Sequence, residues 1–229
     1  MLNINQPKSA PDRTVDALSE SDELKQKQLM KLLLQITPSP TIPTNMSEDE
    51  KIATIAEHFE AIMRTLGLDL ENDSLKLTPQ RVARMYVREI FSGLSLRNFP
   101  KVTVIENAMN YIQPVIVKGI SAVSTCEHHF VTINGLASVG YVPKGKIIGL
   151  SKINRIVKFF AQQPQVQERM TKQIADALEL ILETADVAVK IEADHFCVHQ
   201  RGIEDRKSST ITIDVRGQFK ERLEFFQML

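Results

Sequence analysis

The chain has 229 residues, with 28 Lys and Arg against 28 Asp and Glu. That balance excludes a global basic field for nucleic acid and an acidic tail, so any anion must be held by local placement of cations. No run reaches the roughly 20 apolar residues of a membrane helix, and the N-terminus has no basic segment leading into an apolar one. The sequence reads as a soluble, cytoplasmic protein with reduced thiols, without a membrane or nucleic-acid partner.

The length suits one domain with an N-terminal extension. Residues 1–46 are polar and carry prolines at 7, 11, 38, 40 and 43. A partial apolar face predicts a helix from about Ser21 to Gln35, and Thr37–Pro43 reads as a linker. The body is expected over 47–229. Ser47-x-x-Glu50 is a capping box opening a helix that Gly67 stops. Thr78-Pro79 opens a second helix, with Thr78 as N-cap, that ends at Ser92-Gly93. Strand-like runs follow at Val102–Glu106, Val115–Lys118, Ala122–Thr125, Val131–Pro143 and Ile147–Leu150, with Asn134-Gly135 read as a hairpin turn. Helices are predicted over Ser151–Ala161 and about Pro164–Glu183. The second carries an apolar stripe of Val166, Met170, Ile174, Ala177, Leu178, Ile181 and Leu182. Strands at Val187–Val198 and Ser209–Val215 and a final helix from about Phe219 close the chain. Helices, then antiparallel strands, then a helix pair and more strands define an α+β class and not an alternating βαβ fold.

Both cysteines sit beside histidines, in Cys126-Glu-His-His129 and His195-Phe-Cys197. Zinc takes thiolate sulfur and imidazole nitrogen, and a catalytic zinc keeps three protein ligands and one open position. Two Cys and one His make such a set and leave further histidines beside the metal to move protons. Other readings stand next to this one. The cysteines can be buried hydrophobes or a disulfide, or a structural zinc can take a fourth ligand from His128, His195 or His199.

Two helix starts carry cations where the macrodipole disfavours them. Lys152 and Arg155 follow Ser151, and Arg81 and Arg84 follow Thr78-Pro79. A helix N-terminus with two cations suits phosphate groups, and Arg201 adds a third cationic element. There is no Walker or GxGxxG loop. Glu168, with Gln167 before it, lies in a first helical turn, where an acid is ordinary. Functionally, its carboxylate suits the adjacent N–H donors of a base such as guanine.

Ser124-Thr-Cys-Glu-His-His-Phe130, Gly149-Leu-Ser-Lys-Ile-Asn-Arg155, Gln163-Pro-Gln-Val-Gln-Glu-Arg169 and His195-Phe-Cys197 with Arg201-Gly202 closely resemble the zinc-dependent GTP cyclohydrolase I family. Thr78-Pro79-x-Arg81-Val-Ala and Glu89-Ile-Phe-Ser-Gly93 extend the resemblance over about 47–229. It implies the tunnelling fold, a toroidal homodecamer with sites between subunits, and conversion of GTP and water to 7,8-dihydroneopterin triphosphate and formate. That reaction opens pterin synthesis toward folate or tetrahydrobiopterin. It further implies Zn2+ on Cys126, His129 and Cys197, with His128 and His195 as the acid/base pair and Ser151 beside later proton transfers. Glu168 and Gln167 would meet guanine, and Lys152, Arg155, Arg201 and Arg81 the triphosphate end. The rival from another class is a non-catalytic, zinc-stabilised GTP-binding module, which has no need for His128 and His195.

Overall fold

A computed structural model describes residue 31 and residues 33–229. Most of the helix expected over 21–35 falls outside these residues. Among them, no helix is long and apolar enough to cross a membrane.

The capping box forms as the sequence requires. Ser47 caps helix α1 (Glu48–Thr65), Glu50 reaches back to the Ser47 N–H, and Gly67 turns the chain with φ +76°. The second helix departs from expectation. Leu77, not Thr78, is the N-cap of α2 (Thr78–Met85), and the helix then widens into a π-turn at Tyr86–Ile90. Such bulges concentrate at functional sites.

The strands are β1 (Val104–Glu106), β2 (Val115–Ser121), β3 (Ser124–Cys126), β4 (Thr132–Tyr141) and β5 (Lys146–Ile148), followed by helix α3 (Leu150–Ala161). Then come β6 (Pro164–Gln165), α4 (Gln167–Leu182), β7 (Val187–His195), the single turn α5 (Phe196–His199), β8 (Thr210–Val215), α6 (Gln218–Glu221) and α7 (Leu223–Gln227). The main sheet runs β6-β3-β4-β7-β8, with β2 also paired to β4; β1 and β5 form a separate ribbon. All pairs are antiparallel except β3 with β6. This mixed architecture is α+β.

Asn134-Gly135 is not a hairpin turn. Both residues lie within β4, opposite Asp194 and Ala193 of β7. Glycine is needed there for close approach: a Cβ on Gly135 would sit 2.9 Å from the Ala193 Cβ and 3.2 Å from the Glu192 carbonyl oxygen. The chain reverses instead between β3 and β4. Pro164-Gln165, expected to open a helix, pairs with β3 as a short parallel strand, and α4 begins at Gln167. Cys197 stands in α5, two residues past the end of β7.

The apolar stripe of α4 is buried at Met170, Ile174, Ala177, Leu178 and Leu182, against a sheet face that includes Val189 and Ile191. With α3 supplying Ile153, Ile156, Val157 and Phe160, this makes one contiguous core. Leu33 and Ile36 join that core, so the chain just before the prolines packs on the body. Thr37 donates from its backbone N and its Oγ1 to Asp176 Oδ2 at 2.9 and 2.6 Å. Arg216 binds Asp176, Glu179 and Asp214 from the other side.

Burial pushes the Asp176 carboxyl up, but the hydrogen bonds from Thr37 and Arg216 outweigh it and hold the group below its ordinary value. A carboxyl depressed on folding stabilises the protein above its unfolded pKa, and that stability is lost as pH falls through the folded value. Asp176→Asn is therefore expected to cost about 2 kcal/mol near neutral pH. The gap to the parent should close as pH drops below the ordinary carboxylate range. Denaturant titration across that range checks this; a gap of constant size in acid would contradict it.

Candidate metal centre and active site

One end of the main sheet carries the chemistry. Ile133 of β4 pairs with Ser124 of β3 on one side and with His195 of β7 on the other. The loop that follows β3 and the turn that follows β7 are thereby forced together. The Cys126 N–H donates to the Val131 carbonyl at 2.8 Å and the Phe130 N–H to the Cys126 carbonyl at 2.9 Å, closing a tight loop over 126–131. Phe130 takes φ +54°, an outlier for a bulky residue that costs on the order of 1–3 kcal/mol. Its ring packs edge-on to Phe91 and Tyr86, at centroid distances of 5.3 and 6.4 Å, so the π-turn region braces the loop.

Within this frame, one donor atom each from Cys126, His129 and Cys197 lies within 4.8 Å of the others. Cys126 is buried, Cys197 half-buried, and neither forms a disulfide. Burial pushes the Cys197 thiol up, and the neighbouring Cys126 pushes it further. Two thiols side by side resist ionisation unless a cation lies between them, and a coordinating thiol loses its proton outright. Arg201 donates from Nη1 to His129 Nε2 at 3.0 Å. Arginine has no acceptor, so this ring nitrogen carries no hydrogen, and Arg201 must yield that nitrogen's one lone pair for Nε2 to hold a metal. The donor set fits a thiophilic divalent metal such as zinc.

His128 and His195 flank the triad. The His128 Nδ1 is 3.8 Å from the Cys126 sulfur. His195 Nε2 lies 2.7 Å from Gln167 Oε1. Burial pushes the His195 ring below its ordinary pKa, aided by His199, while Glu168 and Asp194 oppose the shift. His199 donates from Nε2 to the Ser208 carbonyl at 3.0 Å, tying down the segment that carries Arg201. Glu168 is exposed beside this group in the first turn of α4.

Gln167 stands differently from expectation. Only 1% of it is exposed, and its amide nitrogen donates to the Ile191 and Thr210 carbonyls, both at 3.0 Å. It offers no free donor to a ligand.

Ser151, Lys152 and Arg155 lie in the first two turns of α3, with Ser151 and Arg155 exposed. No hydrogen bond or ion pair among the described residues links them to the metal loop. That end of α3 follows Ile148, whose N–H meets the Tyr141 hydroxyl at 3.3 Å, at the far end of β4. The opposite end of α3 leads to Gln163, whose carbonyl accepts from Ser124 Oγ beside the metal loop. The 12-residue helix is about 18 Å long, so within one chain the end that carries Ser151 and Lys152 stands about that far from the end that leads to Gln163. Arg81 is exposed on α2, without a polar partner among the described residues.

The sequence reading missed a polar chain beneath the loop. Glu127, between Cys126 and His128, pairs with Arg169. Arg169 Nε donates to Gln165 Oε1 at 3.0 Å, Gln165 Nε2 to Gln173 Oε1 at 2.8 Å, and Gln173 Nε2 to the Thr37 carbonyl at 2.9 Å. Arg169 and Gln173 stand four residues apart on α4, with Gln165 in β6 just ahead of that helix.

Two thiols and an imidazole that could hold one metal ion, with two further histidines beside them, are the arrangement a metal-dependent enzyme presents. The family model described as GTP cyclohydrolase I matches residues 55–229. Relatives named GTP cyclohydrolase 1 include that of Vibrio vulnificus (strain YJ016), 53% identical over 219 residues, covering 94% of this chain and 100% of the relative. That of Shewanella denitrificans is 56% identical over 193 residues, covering 82% and 89%. That of Aeromonas salmonicida is 57% identical over 182 residues, covering 80% and 84%. The chain belongs to the GTP cyclohydrolase I family.

Removing the Arg169 partner leaves Glu127 as an unpaired, mostly buried charge in the loop that presents the triad. Arg169→Met is expected to weaken zinc binding by roughly tenfold or more, as loss of outer-shell support does. Competition with a chromogenic chelator measures it; unchanged affinity in a folded variant would show that the loop holds itself.

Proposed function

We propose that this chain converts GTP and water to 7,8-dihydroneopterin triphosphate and formate, the entry to folate- or tetrahydrobiopterin-type pterins. The observation that carries the reading is the convergence of Cys126, His129 and Cys197 with His128 and His195 beside them. A purely binding module has no use for the two unassigned rings.

Zinc held by Cys126, His129 and Cys197 supplies Lewis acidity that brings the pKa of water toward neutrality. The protein's own groups do the rest. Glu168 accepts from the adjacent N–H groups of guanine and presents C8 of the five-membered ring to the metal loop. Water adds at C8, the bond from C8 to the ring nitrogen breaks, and His195 gives that nitrogen its proton. His128 takes and returns protons as a second water releases C8 as formate. An Amadori-type shift of the ribose, with proton transfers near Ser151, precedes ring closure, which expels one water.

Lys152, Arg155, Arg201 and Arg81 hold the triphosphate. The length of α3, about 18 Å from the end that carries Ser151 and Lys152 to the end that leads toward the metal loop, supports a site completed by a neighbouring chain. The edge strand β8, with exposed Ile211 and Ile213, supports sheet-to-sheet association. The assembly is then a closed homo-oligomer of ten chains in the tunnelling fold. Two free cysteines suit the reducing cytoplasm. Residues 1–46 act as an extension to the catalytic domain over 47–229.

His128→Ala and His195→Ala should each retain zinc while turnover falls by about 10²–10⁴-fold. Zinc content, formate and pterin fluorescence measured in parallel check this; near-normal formate and pterin from either variant removes that residue from the mechanism. Mixing a Cys126→Ala chain with a Lys152→Ala chain tests the shared site. Mixed rings are expected to recover part of the activity that each variant lacks, and no recovery in verified mixed rings would place both clusters in one chain's site.

A further inference from the structure

Gln167 is the first residue of α4 and is almost wholly buried. Its amide nitrogen donates to the Ile191 carbonyl of β7 and the Thr210 carbonyl of β8. Both partners are carbonyl oxygens, which only accept. The amide therefore has one orientation, with Nε2 toward the strands and Oε1 away from them. A reversed amide would set an oxygen against two oxygens in a buried place, leaving three acceptors without a donor. Oε1 is left facing His195 Nε2 at 2.7 Å. An amide oxygen cannot donate, so the ring nitrogen does. In a neutral imidazole only one nitrogen bears hydrogen, so His195 Nδ1 is bare.

We propose that Gln167 is a positioning residue that locks His195 as the Nε2–H tautomer and makes Nδ1 the nitrogen that serves the substrate. The inference rests on the acid/base reading of His195. The Nε2 proton stays in the buried bond to Gln167, so Nδ1 first takes the proton released by the water that adds at C8 and then gives it to the leaving ring nitrogen. The same bond fixes the ring plane at the end of β7, where His195 is the N-cap of the turn that carries Cys197. The orientation of the acid and the presentation of the second thiol thus share one anchor. Glutamate in this place would turn an oxygen toward the two carbonyls, and an apolar residue would leave them unpaired, so the chemistry selects an amide. This role replaces the guanine contact expected from the sequence.

The direct test is the tautomer of His195 in the zinc-loaded full chain. Ring-15N-labelled histidine gives distinct nitrogen signals for protonated and bare positions, and His195→Ala identifies the residue's signals. At a pH where the ring is neutral, a protonated Nε2 and a bare Nδ1 are expected; the opposite tautomer overturns the proposal. This reading does not depend on turnover. A wild-type protein that makes pterin with the opposite tautomer sinks only this inference, whereas one that makes none sinks the proposed function. For Gln167→Met, a roughly tenfold to hundredfold fall in kcat is expected, with KM for GTP within about twofold of the parent. The His195 signals should shift toward a mixture of tautomers. A raised KM with kcat retained would show a guanine contact instead and overturn the proposal. Should Gln167→Met not fold, the wild-type tautomer still decides.

Discussion

The pairing of β4 with β7 fixes where every reactive group stands. Nine residue pairs run from Ile133–His195 to Tyr141–Val187, and β3 binds the same end of β4 through Ser124–Ile133. A one-residue slip of β7 would move His195 off Ile133 and send each of its side chains to the other face of the sheet. The apolar faces of α3 and α4 prevent that slip. Ala137, Val139, Val189 and Ile191 are fully buried in the core with those helices, and a one-residue slip of β7 would turn Val189 and Ile191 out of it. The position of two thiols and two imidazoles is thus set by aliphatic packing well away from them.

A second constraint is polar. The metal loop ends in a left-handed Phe130, a conformation that costs energy and needs outside support. The Tyr86–Phe91–Phe130 cluster gives that support from one side and the Arg169–Glu127 pair from the other. Through Gln165 and Gln173 the same polar chain reaches Thr37, so the segment before the body is built into the layer that backs the loop. Gln163 joins it by accepting from Ser39 and donating to the Gly93 carbonyl. Gly93 itself is required there, since a Cβ would fall 2.2 Å from the Phe159 carbonyl oxygen.

Much of this was legible in the sequence, and for physical reasons. The capping box, the 3.6-residue stripe of α4 and the α+β order are local signals, and local signals survive folding. The Cys/His clusters were legible because few other residue types bind a thiophilic metal. What escaped was non-local. Asn134-Gly135 has turn chemistry, but the close approach of Ala193 decides its place, and nothing in the local sequence announces a neighbour 58 residues on. Gln167 looked like a ligand contact because it precedes Glu168; only the β7 and β8 carbonyls reveal that its amide is already engaged. The distance between the first turn of α3 and the metal loop likewise needs the sheet to be laid out before it can be read.

One strand register brings Cys126, Cys197 and His129 together as donors for a single metal ion. X-ray absorption at the zinc edge of the loaded protein tests it most directly. Two sulfur scatterers at about 2.3 Å and light nitrogen or oxygen scatterers at about 2.0–2.1 Å are expected for each zinc. One sulfur per zinc, or none, would contradict it.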